Sequence, residues 1–206
     1  MADLILVVDT QADFMLADGA LPVPGADAVV APLRAWLGAR AAADTAAVLF
    51  TFDTHDADTY PDSAEAKLFP IHCVRDTPGW RNLLGCAAVP PGVRCATIEK
   101  GVFDMWAEDG LMVHEPDRTV PRETWFAELR DAGVDHAIVV GVAADYCVAQ
   151  AIAGLVARGF RVTVPRALTR GITRAIDRVV SDDFNDMPVA VVDLPTPVRI
   201  DTSPWS

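Results

Sequence analysis

The sequence predicts an α/β protein with a mostly parallel sheet that is covered by helices on both faces. Six short runs rich in Val, Ile and Leu alternate with amphipathic stretches along the chain, and the runs lack the polar alternation of half-exposed strands. With 206 residues, of which 51% are hydrophobic, the chain has the length of one well-packed domain. We therefore expect a single three-layer α/β/α domain over residues 1–206, built on a six-stranded sheet.

The six predicted strands are continuous apolar runs. They cover residues 4–9, 47–53, 95–99, 137–142, 161–164 and 189–192.

Four helices are predicted between these strands. They cover about residues 26–43, 122–132, 145–158 and 173–182. Pro32 in the first helix predicts a late start or a kink there, whereas Gly133 and Gly159 end the second and third. Residues 54–91 are polar and interrupted by Pro and Gly, and so long an irregular segment in a compact domain more often has a function than not.

Composition excludes several classes of function. The 29 acids against 17 bases give a net charge of −12, which argues against binding to a phosphate backbone. No apolar run reaches membrane length, and the N-terminus lacks a signal-like region, so we expect a cytoplasmic protein. In that compartment the four cysteines are expected to be free thiols: Cys73, Cys86, Cys95 and Cys147. Motifs for a serine nucleophile, a dinucleotide or a phosphate loop are absent from the sequence.

Reactive side chains follow four of the predicted strands. In open parallel sheets, ligands bind beyond the carboxyl ends of the strands, where the strand order reverses. Here the strands lead into Asp9, Asp53-Thr54-His55, Lys100 and, at the start of a helix, Cys147. The sequence therefore predicts that an acid, an amine and a thiol meet at one rim.

Each of these three residues also has an ordinary structural interpretation. Cys147 could be a small core residue, Asp9 could cap a loop, and Lys100 could be a solvated surface charge. Their convergence instead indicates nucleophilic catalysis. Cys147 would be the nucleophile, assisted by the N-terminus of its helix, and Asp9 would move protons. The Lys100 ammonium would hold down the pKa values of the thiol and the carboxylate.

A possible metal site follows the second strand. Asp53 and His55 alternate on extended backbone and so face one side, and His72 comes later, with Glu65 upstream of it. Two histidines with carboxylates suit Zn²⁺, Fe²⁺ or Mn²⁺. Structural histidines in a chance pairing remain the alternative.

Taken together, these motifs resemble the nicotinamidase and isochorismatase-like family of cysteine hydrolases, specifically its nicotinamidase-pyrazinamidase branch. The resemblance spans most of the chain in four ordered segments. They are Leu6-Val7-Val8-Asp9-Thr10-Gln11-Ala12-Asp13-Phe14, Asp53-Thr54-His55 with Phe69-Pro70-Ile71-His72-Cys73-Val74, Lys100-Gly101, and Gly141-Val142-Ala143-Ala144-Asp145-Tyr146-Cys147-Val148 with Thr169-Arg170-Gly171-Ile172.

The resemblance implies an amidase that works through a cysteine thioester. Asp9, Lys100 and Cys147 would be its catalytic residues, and the N–H groups of Cys147 and Ala143 would hold the oxyanion. The same resemblance implies a cis peptide at Val142–Ala143.

It also implies a bound divalent metal, with zinc favoured over iron or manganese, and apolar ring walls that include Phe14 and Phe69. The metal ligands would be Asp53, His55, Glu65 and His72. Glu65 enters this set because residues 65–72 look like a branch in which a glutamate joins the metal ligands.

The function expected from this resemblance is metal-dependent hydrolysis of nicotinamide to nicotinate and ammonia. Two alternatives stay open: an amidase for another small amide of the maleamate or carbamoyl type, and a catalytically silent metal-binding member. Ala144 in place of the family's Thr, and Phe69 in place of a frequent Trp, leave the substrate open. The expected partner is a small-molecule amide, without nucleic acid or membrane, and a homo-oligomer is possible.

Overall fold

The computed structural model describes residues 2–194, which are organised around one sheet. Its strands are β1 (Asp3–Val8), β2 (Thr45–Asp53), β3 (Cys95–Lys100), β4 (Met112–His114), β5 (Thr119–Pro121), β6 (His136–Val142), β7 (Arg161–Pro165), β8 (Thr169–Arg170) and β9 (Val189–Val192). Across the sheet the order is β5-β4-β3-β2-β1-β6-β7-β9, with β8 paired to β6. The β3–β4 and β4–β5 pairs are antiparallel, and the other pairs are parallel. The predicted mostly parallel α/β architecture is confirmed.

All six predicted strands are present, with ends within two residues of the expected positions. Among residues 2–194 the sheet nevertheless has nine strands rather than six. The additional strands β4, β5 and β8 contain only two or three residues each, too few for a periodic pattern to appear in the sequence. Residues 1 and 195–206, the two ends of the predicted domain, lie outside the described residues.

Five helices within residues 2–194 cover both faces of the sheet. They are α1 (Ala12–Met15), α2 (Asp27–Gly38), α3 (Arg122–Asp131), α4 (Cys147–Ala157) and α5 (Ile176–Asp183). Side chains of β1 point alternately to the two faces: Leu4 and Leu6 pack with α3, α4 and α5, whereas Ile5 and Val7 pack with α1 and α2. The result is the expected three layers. None of the helices in this part of the chain has the length and apolar character that a membrane crossing requires.

Two predicted helices differ from the structure by three or more residues at one end, and the other two differ by at most two. Helix α2 begins at Asp27 and continues through Pro32, but it ends at Gly38 rather than at residue 43. Pro32 is tolerated because it and Ala28, whose carbonyl loses its helical partner, lie on the exposed face of the helix. Helix α5 begins three residues late because the backbone N–H groups of Thr173 and Arg174 donate to the Asp145 carboxylate.

The expectation of four free thiols is wrong for one pair. Cys86 and Cys95 form a disulfide, with Cα atoms 5.7 Å apart. The 3₁₀ turn Cys86–Ala88 and the following Pro-Pro-Gly turn bring the chain back to the first residue of β3, which the sequence spacing alone does not reveal. Within the described residues, Cys73 and Cys147 are free thiols, and both are buried.

Residues 54–91, termed the excursion below, are irregular as predicted and fold against the sheet edge. The excursion contains the 3₁₀ turns Tyr60–Asp62, Glu65–Lys67 and Cys86–Ala88. Isolated bridges pair His55 with Val74 and Gln11 with Asn82. These bridges fix the excursion above the carboxyl ends of β1 and β2.

Candidate active site

Four strands deliver functional side chains to one rim of the sheet. Asp9 follows β1, Asp53 and Lys100 are the last residues of β2 and β3, and Cys147 is the first residue of α4, after β6. The chain leaves β1 toward β2 on one side and returns to β6 on the other. The rim is therefore the topological switch point, where parallel sheets open a crevice for ligands.

The loop between β6 and α4 has an unusual backbone. Gly141 has φ +110°, and a Cβ there would overlap the carbonyl oxygen of Val8 on β1. The Val142–Ala143 peptide is cis. Among the residues that the structure describes, the N–H groups of Ala143 and Cys147 donate to no partner, so both remain available to an oxyanion.

Lys100 lies at the centre of the site. Its Nζ is 2.9 Å from Asp9 Oδ2, 3.2 Å from Asp53 Oδ1 and 3.4 Å from Cys147 Sγ. All four side chains are buried. The structure thus brings together the three residues expected to act in catalysis, and it joins them to one of the expected metal ligands.

The charges around Lys100 stabilise its ammonium. Burial disfavours the charged form, but the carboxylates of Asp53 and Asp9 outweigh it and hold the pKa of Lys100 well above its ordinary value. Burial likewise opposes the Asp53 carboxylate, yet Lys100 and the two neighbouring histidines keep the pKa of Asp53 well below the usual range. One ammonium is therefore shared by two carboxylates.

The Cys147 thiol differs from expectation. Burial raises its pKa well above the ordinary value, and the Asp9 and Asp53 carboxylates raise it further, so that the opposing effect of Lys100 does not prevail. Lys100 lowers the pKa of the thiol as expected, but burial and the two carboxylates outweigh it, which the sequence did not predict. The thiol stays protonated at rest and needs a base at the moment of attack.

The Asp9 carboxylate is held in place by its backbone conformation and by contacts with Thr51 and Lys100. Its φ of +46° lies in the left-handed region, which places its side chain on the rim. Its Oδ1 accepts a 2.5 Å hydrogen bond from Thr51, and its Oδ2 faces Lys100. The Asp9 carboxylate is also close enough to Cys147 to raise the pKa of its thiol.

The four residues expected to bind metal form one cluster. A candidate ligand atom from each of them lies within 4.8 Å of the others. Asp53 Oδ2 is 3.2 Å from His55 Nε2 and 3.1 Å from His72 Nε2, and Glu65 Oε2 is 3.1 Å from His55 Nε2. All four side chains are buried.

The chemistry of this cluster fits a divalent cation. Both oxygens of Glu65 are buried and neither accepts a well-formed hydrogen bond within residues 2–194, so the approach of Oε2 to His55 leaves this carboxylate incompletely satisfied. Burial disfavours a charged His55, yet Asp53 and Glu65 raise its pKa to about 9. The cluster therefore favours a positive charge at its centre, and two imidazoles with two carboxylates are ligands suited to Zn²⁺.

The second histidine is oriented for ligation. His72 Nδ1 lies 2.8 Å from the carbonyl oxygen of Pro70. Because a carbonyl only accepts, Nδ1 carries the hydrogen and Nε2 faces the cluster with its lone pair. The Tyr60 hydroxyl donates to the same carbonyl at 3.0 Å, and this tyrosine packs edge-on against both imidazoles.

Both aromatic residues expected to form apolar walls lie beside these groups. The ring centroid of Phe14 is 5.2 Å from that of His72. Phe69 packs 5.2 Å from Tyr146, and these two rings also contact Phe103. Sequence reasoning missed Tyr146 and Phe103, although each lies within three residues of Cys147 or Lys100 and that proximity was a usable signal.

Gln11 is a further contact that sequence reasoning missed. Its amide accepts from the Asp53 N–H and donates to the Asp53 carbonyl, both at 2.8 Å, and it is fully buried. The glutamine side chain thus makes the two backbone hydrogen bonds with Asp53 that a neighbouring strand would otherwise make. Its place in the first motif segment was a usable signal, but the hydrogen bonds to Asp53 could not be predicted from it.

Comparison with known proteins connects this geometry to a family. The sequence profile of the Isochorismatase domain matches residues 3–192. The nicotinamidase/pyrazinamidase of Mycobacterium tuberculosis is 32% identical over 176 residues, which cover 82% of this chain and 87% of that protein.

Solved structures show the same fold. The nicotinamidase/pyrazinamidase of Bacillus subtilis superposes with a TM-score of 0.70 at 20% identity, covering 94% of this chain and all of that one. The pyrazinamidase of Pyrococcus horikoshii, solved in complex with zinc, gives 0.69 at 24% identity with the same coverage.

Proposed function

Since this chain belongs to the Isochorismatase domain family, we propose that it hydrolyses nicotinamide to nicotinate and ammonia through a thioester on Cys147. That it is a cysteine amidohydrolase follows from the family and from the nicotinamidase/pyrazinamidase relative. Beyond this activity, we propose the identity of the substrate and of the metal and the role of each site residue. The observation that supports it most directly is the position of Lys100 Nζ, within 3.4 Å of Asp9, Asp53 and Cys147.

The first half of the reaction forms the thioester. Asp9 takes the proton of the Cys147 thiol as Sγ bonds to the carboxamide carbon, which is the base that the raised thiol pKa requires. The N–H groups of Ala143 and Cys147 hold the oxyanion. The C–N bond then breaks, and the leaving nitrogen takes the proton from Asp9 and departs as ammonia.

The second half reverses these roles. A water attacks the thioester carbon and gives a proton to Asp9. The C–S bond breaks, the Cys147 sulfur recovers its proton from Asp9, and the product leaves as the acid, which gives its proton to the surrounding water and becomes the carboxylate. Lys100 remains an ammonium throughout, because the Asp53 carboxylate stays beside it even while Asp9 carries the transferred proton, and it holds Asp9 and Cys147 next to each other.

We propose zinc as the cation held by Asp53, His55, Glu65 and His72. Two imidazoles and two carboxylates match its preferences, and the Pyrococcus horikoshii structure is a complex with zinc. When bound, the metal supplies a Lewis acid that can take the ring nitrogen of a pyridine amide. Phe14 and Phe69 would pack against the ring. We further propose that residues 1–206 act as one domain, since the family match spans 3–192.

Ammonia release from nicotinamide by zinc-loaded protein tests the proposal, with Cys147→Ala beside it. The matched control is Cys73→Ala, which removes the other free buried thiol. We expect turnover in the wild type and in Cys73→Ala and none above background in Cys147→Ala. Equal turnover in all three proteins would overturn the thioester. Turnover of other small amides but not of nicotinamide would overturn the substrate alone.

A further inference from the structure

One hydroxyl group in the site has no place in the mechanism above. Thr51 lies in β2, two residues before Asp53, and is 1% exposed. The β1–β2 register pairs Val7 with Phe50, so Thr51 comes beside the point at which β1 ends and Asp9 begins.

The Thr51 hydroxyl makes two hydrogen bonds to the same residue, Asp9. Thr51 Oγ1 accepts from the backbone N–H of Asp9 at 3.1 Å and donates to the Oδ1 of the same residue at 2.5 Å. Backbone and carboxylate of Asp9 are therefore fixed relative to each other. With Oδ1 held by the hydroxyl, Oδ2 is the oxygen that faces the Lys100 ammonium, and within residues 2–194 it accepts no well-formed hydrogen bond.

We propose that Thr51 is a positioning residue for hydrolysis: its hydroxyl prevents the Asp9 carboxylate from turning, so that Oδ2 is presented to the Cys147 thiol. The inference rests on the proposed amide hydrolysis. It explains why the base needs a second contact, since Lys100 alone could pair with either carboxylate oxygen. A short hydrogen bond to a buried carboxylate is among the stronger ones in proteins.

The test replaces the hydroxyl without changing side-chain shape. Thr51→Val keeps the β-branched side chain in its strand but cannot donate, whereas Thr51→Ser restores the donor. We expect kcat for ammonia release to fall roughly ten- to a hundredfold in Thr51→Val with KM changed by less than about threefold, and Thr51→Ser to recover most of the loss.

Thr45→Val is the matched control. Thr45 is a buried threonine of the same strand whose hydroxyl also donates to a carboxylate, that of Asp44, but it lies at the opposite end of β2. Wild-type kcat is expected for it. Zinc content measured on every variant shows whether Asp53, two residues from Thr51, still binds metal.

Two results would overturn the role of Thr51. One is a folded, zinc-loaded Thr51→Val with kcat within about twofold of the wild type; the other is a Thr51→Ser as slow as Thr51→Val. If wild type hydrolyses no amide, the proposed function fails by itself. The rate of Cys147 alkylation by iodoacetamide, read by mass spectrometry, then decides: a several-fold slower reaction in Thr51→Val than in Thr45→Val supports the positioning role, and equal rates refute it.

Discussion

Lys100 joins two groups of residues that do different chemistry. It contacts Asp9 and Cys147, which we propose make and break bonds, and it contacts Asp53, which belongs to the cluster suited to a metal. Asp53 divides its oxygens accordingly: Oδ1 faces the ammonium and Oδ2 faces both imidazoles. A change in one group of residues therefore reaches the other through a single buried ion pair.

The substitution Glu65→Gln tests whether Glu65 is a metal ligand. Replacing the carboxylate removes a negative charge whose oxygens have no other partner, so we expect zinc affinity to fall roughly ten- to a hundredfold. Competition with a chelator measures it. Glu99→Gln, which breaks a half-exposed ion pair with Arg75, is the control and should bind zinc as the wild type does. Unchanged affinity in Glu65→Gln would remove Glu65 from the ligand set.

Most residues of the candidate site could be predicted from the sequence, because the carboxyl ends of neighbouring parallel strands lie at the same edge of a sheet. Asp9, Asp53 and Lys100 follow recognisable buried strands, and Cys147 opens a helix. Thr51 and Gln11 could not be found this way, since their roles depend on hydrogen bonds between β1 and β2 that no periodic pattern encodes. The protonated state of Cys147 was missed because burial was not weighed against Lys100.

At the scale of elements, three connections tie the strands, the helices and the excursion together. The β6–α4 loop passes close to β1 at Gly141, the disulfide joins the end of the excursion to β3, and Glu115 joins β3, β4 and α3 through Arg94 and Trp125. The disulfide escaped prediction because a nine-residue spacing says nothing about where a 3₁₀ turn packs.

Gly141→Ala should be strongly destabilising. A methyl group would meet the Val8 carbonyl at a φ of +110°, which alanine rarely adopts. We expect a loss of about 3 kcal/mol or more in the free energy of unfolding, measured by urea denaturation. Gly92→Ala, also at positive φ but with open space around it, is the control and should cost less. Equal losses would show that the contact with β1 is unimportant.

Reduction should weaken the fold without touching the catalytic residues. By loop entropy, the Cys86–Cys95 bond contributes about 3 kcal/mol. Dithiothreitol should therefore lower the melting temperature of the wild type but not that of the Cys86→Ser/Cys95→Ser variant. An equal response in both proteins would mean that the bond does not form in solution.

Glu115 makes the free energy of unfolding depend on pH in the acidic range. Burial opposes its ionisation, but hydrogen bonds from Arg94, Trp125 and Arg118 lower its pKa from 4.5 to about 2. Its stabilising contribution is therefore complete above pH 4.5 and is lost as the pH falls toward 2. We expect Glu115→Gln to cost about 2 kcal/mol at pH 6 and progressively less at pH 4 and pH 3, by urea denaturation. A cost that does not change with pH would contradict this.

In the whole molecule, the sheet and its helices form a regular core, and the excursion is an irregular segment that packs against it. Two apolar cores, one on each face of the sheet, hold the strands. Most of the fold followed from the sequence, because strands buried on both faces carry a clear pattern. The arrangement of the excursion did not, since it depends on contacts such as the bridges to Gln11 and His55.

Metal binding should stabilise the whole fold. Three of the four proposed ligands belong to the excursion and the fourth to β2, so a bound ion would cross-link them. With free zinc at a thousandfold its Kd, the gain is about 4 kcal/mol, or roughly 10 °C in melting temperature. Calorimetry with and without chelator measures it. A similar zinc response in His72→Ala would place the ion elsewhere.

The excursion can be regarded as an exchangeable cassette. It leaves the sheet at Thr54, whose N–H donates to the Lys100 carbonyl, and it is tied down near its end by the disulfide to β3. Asp9, Lys100 and Cys147 all lie outside it. Transplanting a different segment between these two anchor points would change His55, Glu65, Phe69 and His72 together and leave Asp9, Lys100 and Cys147 in place.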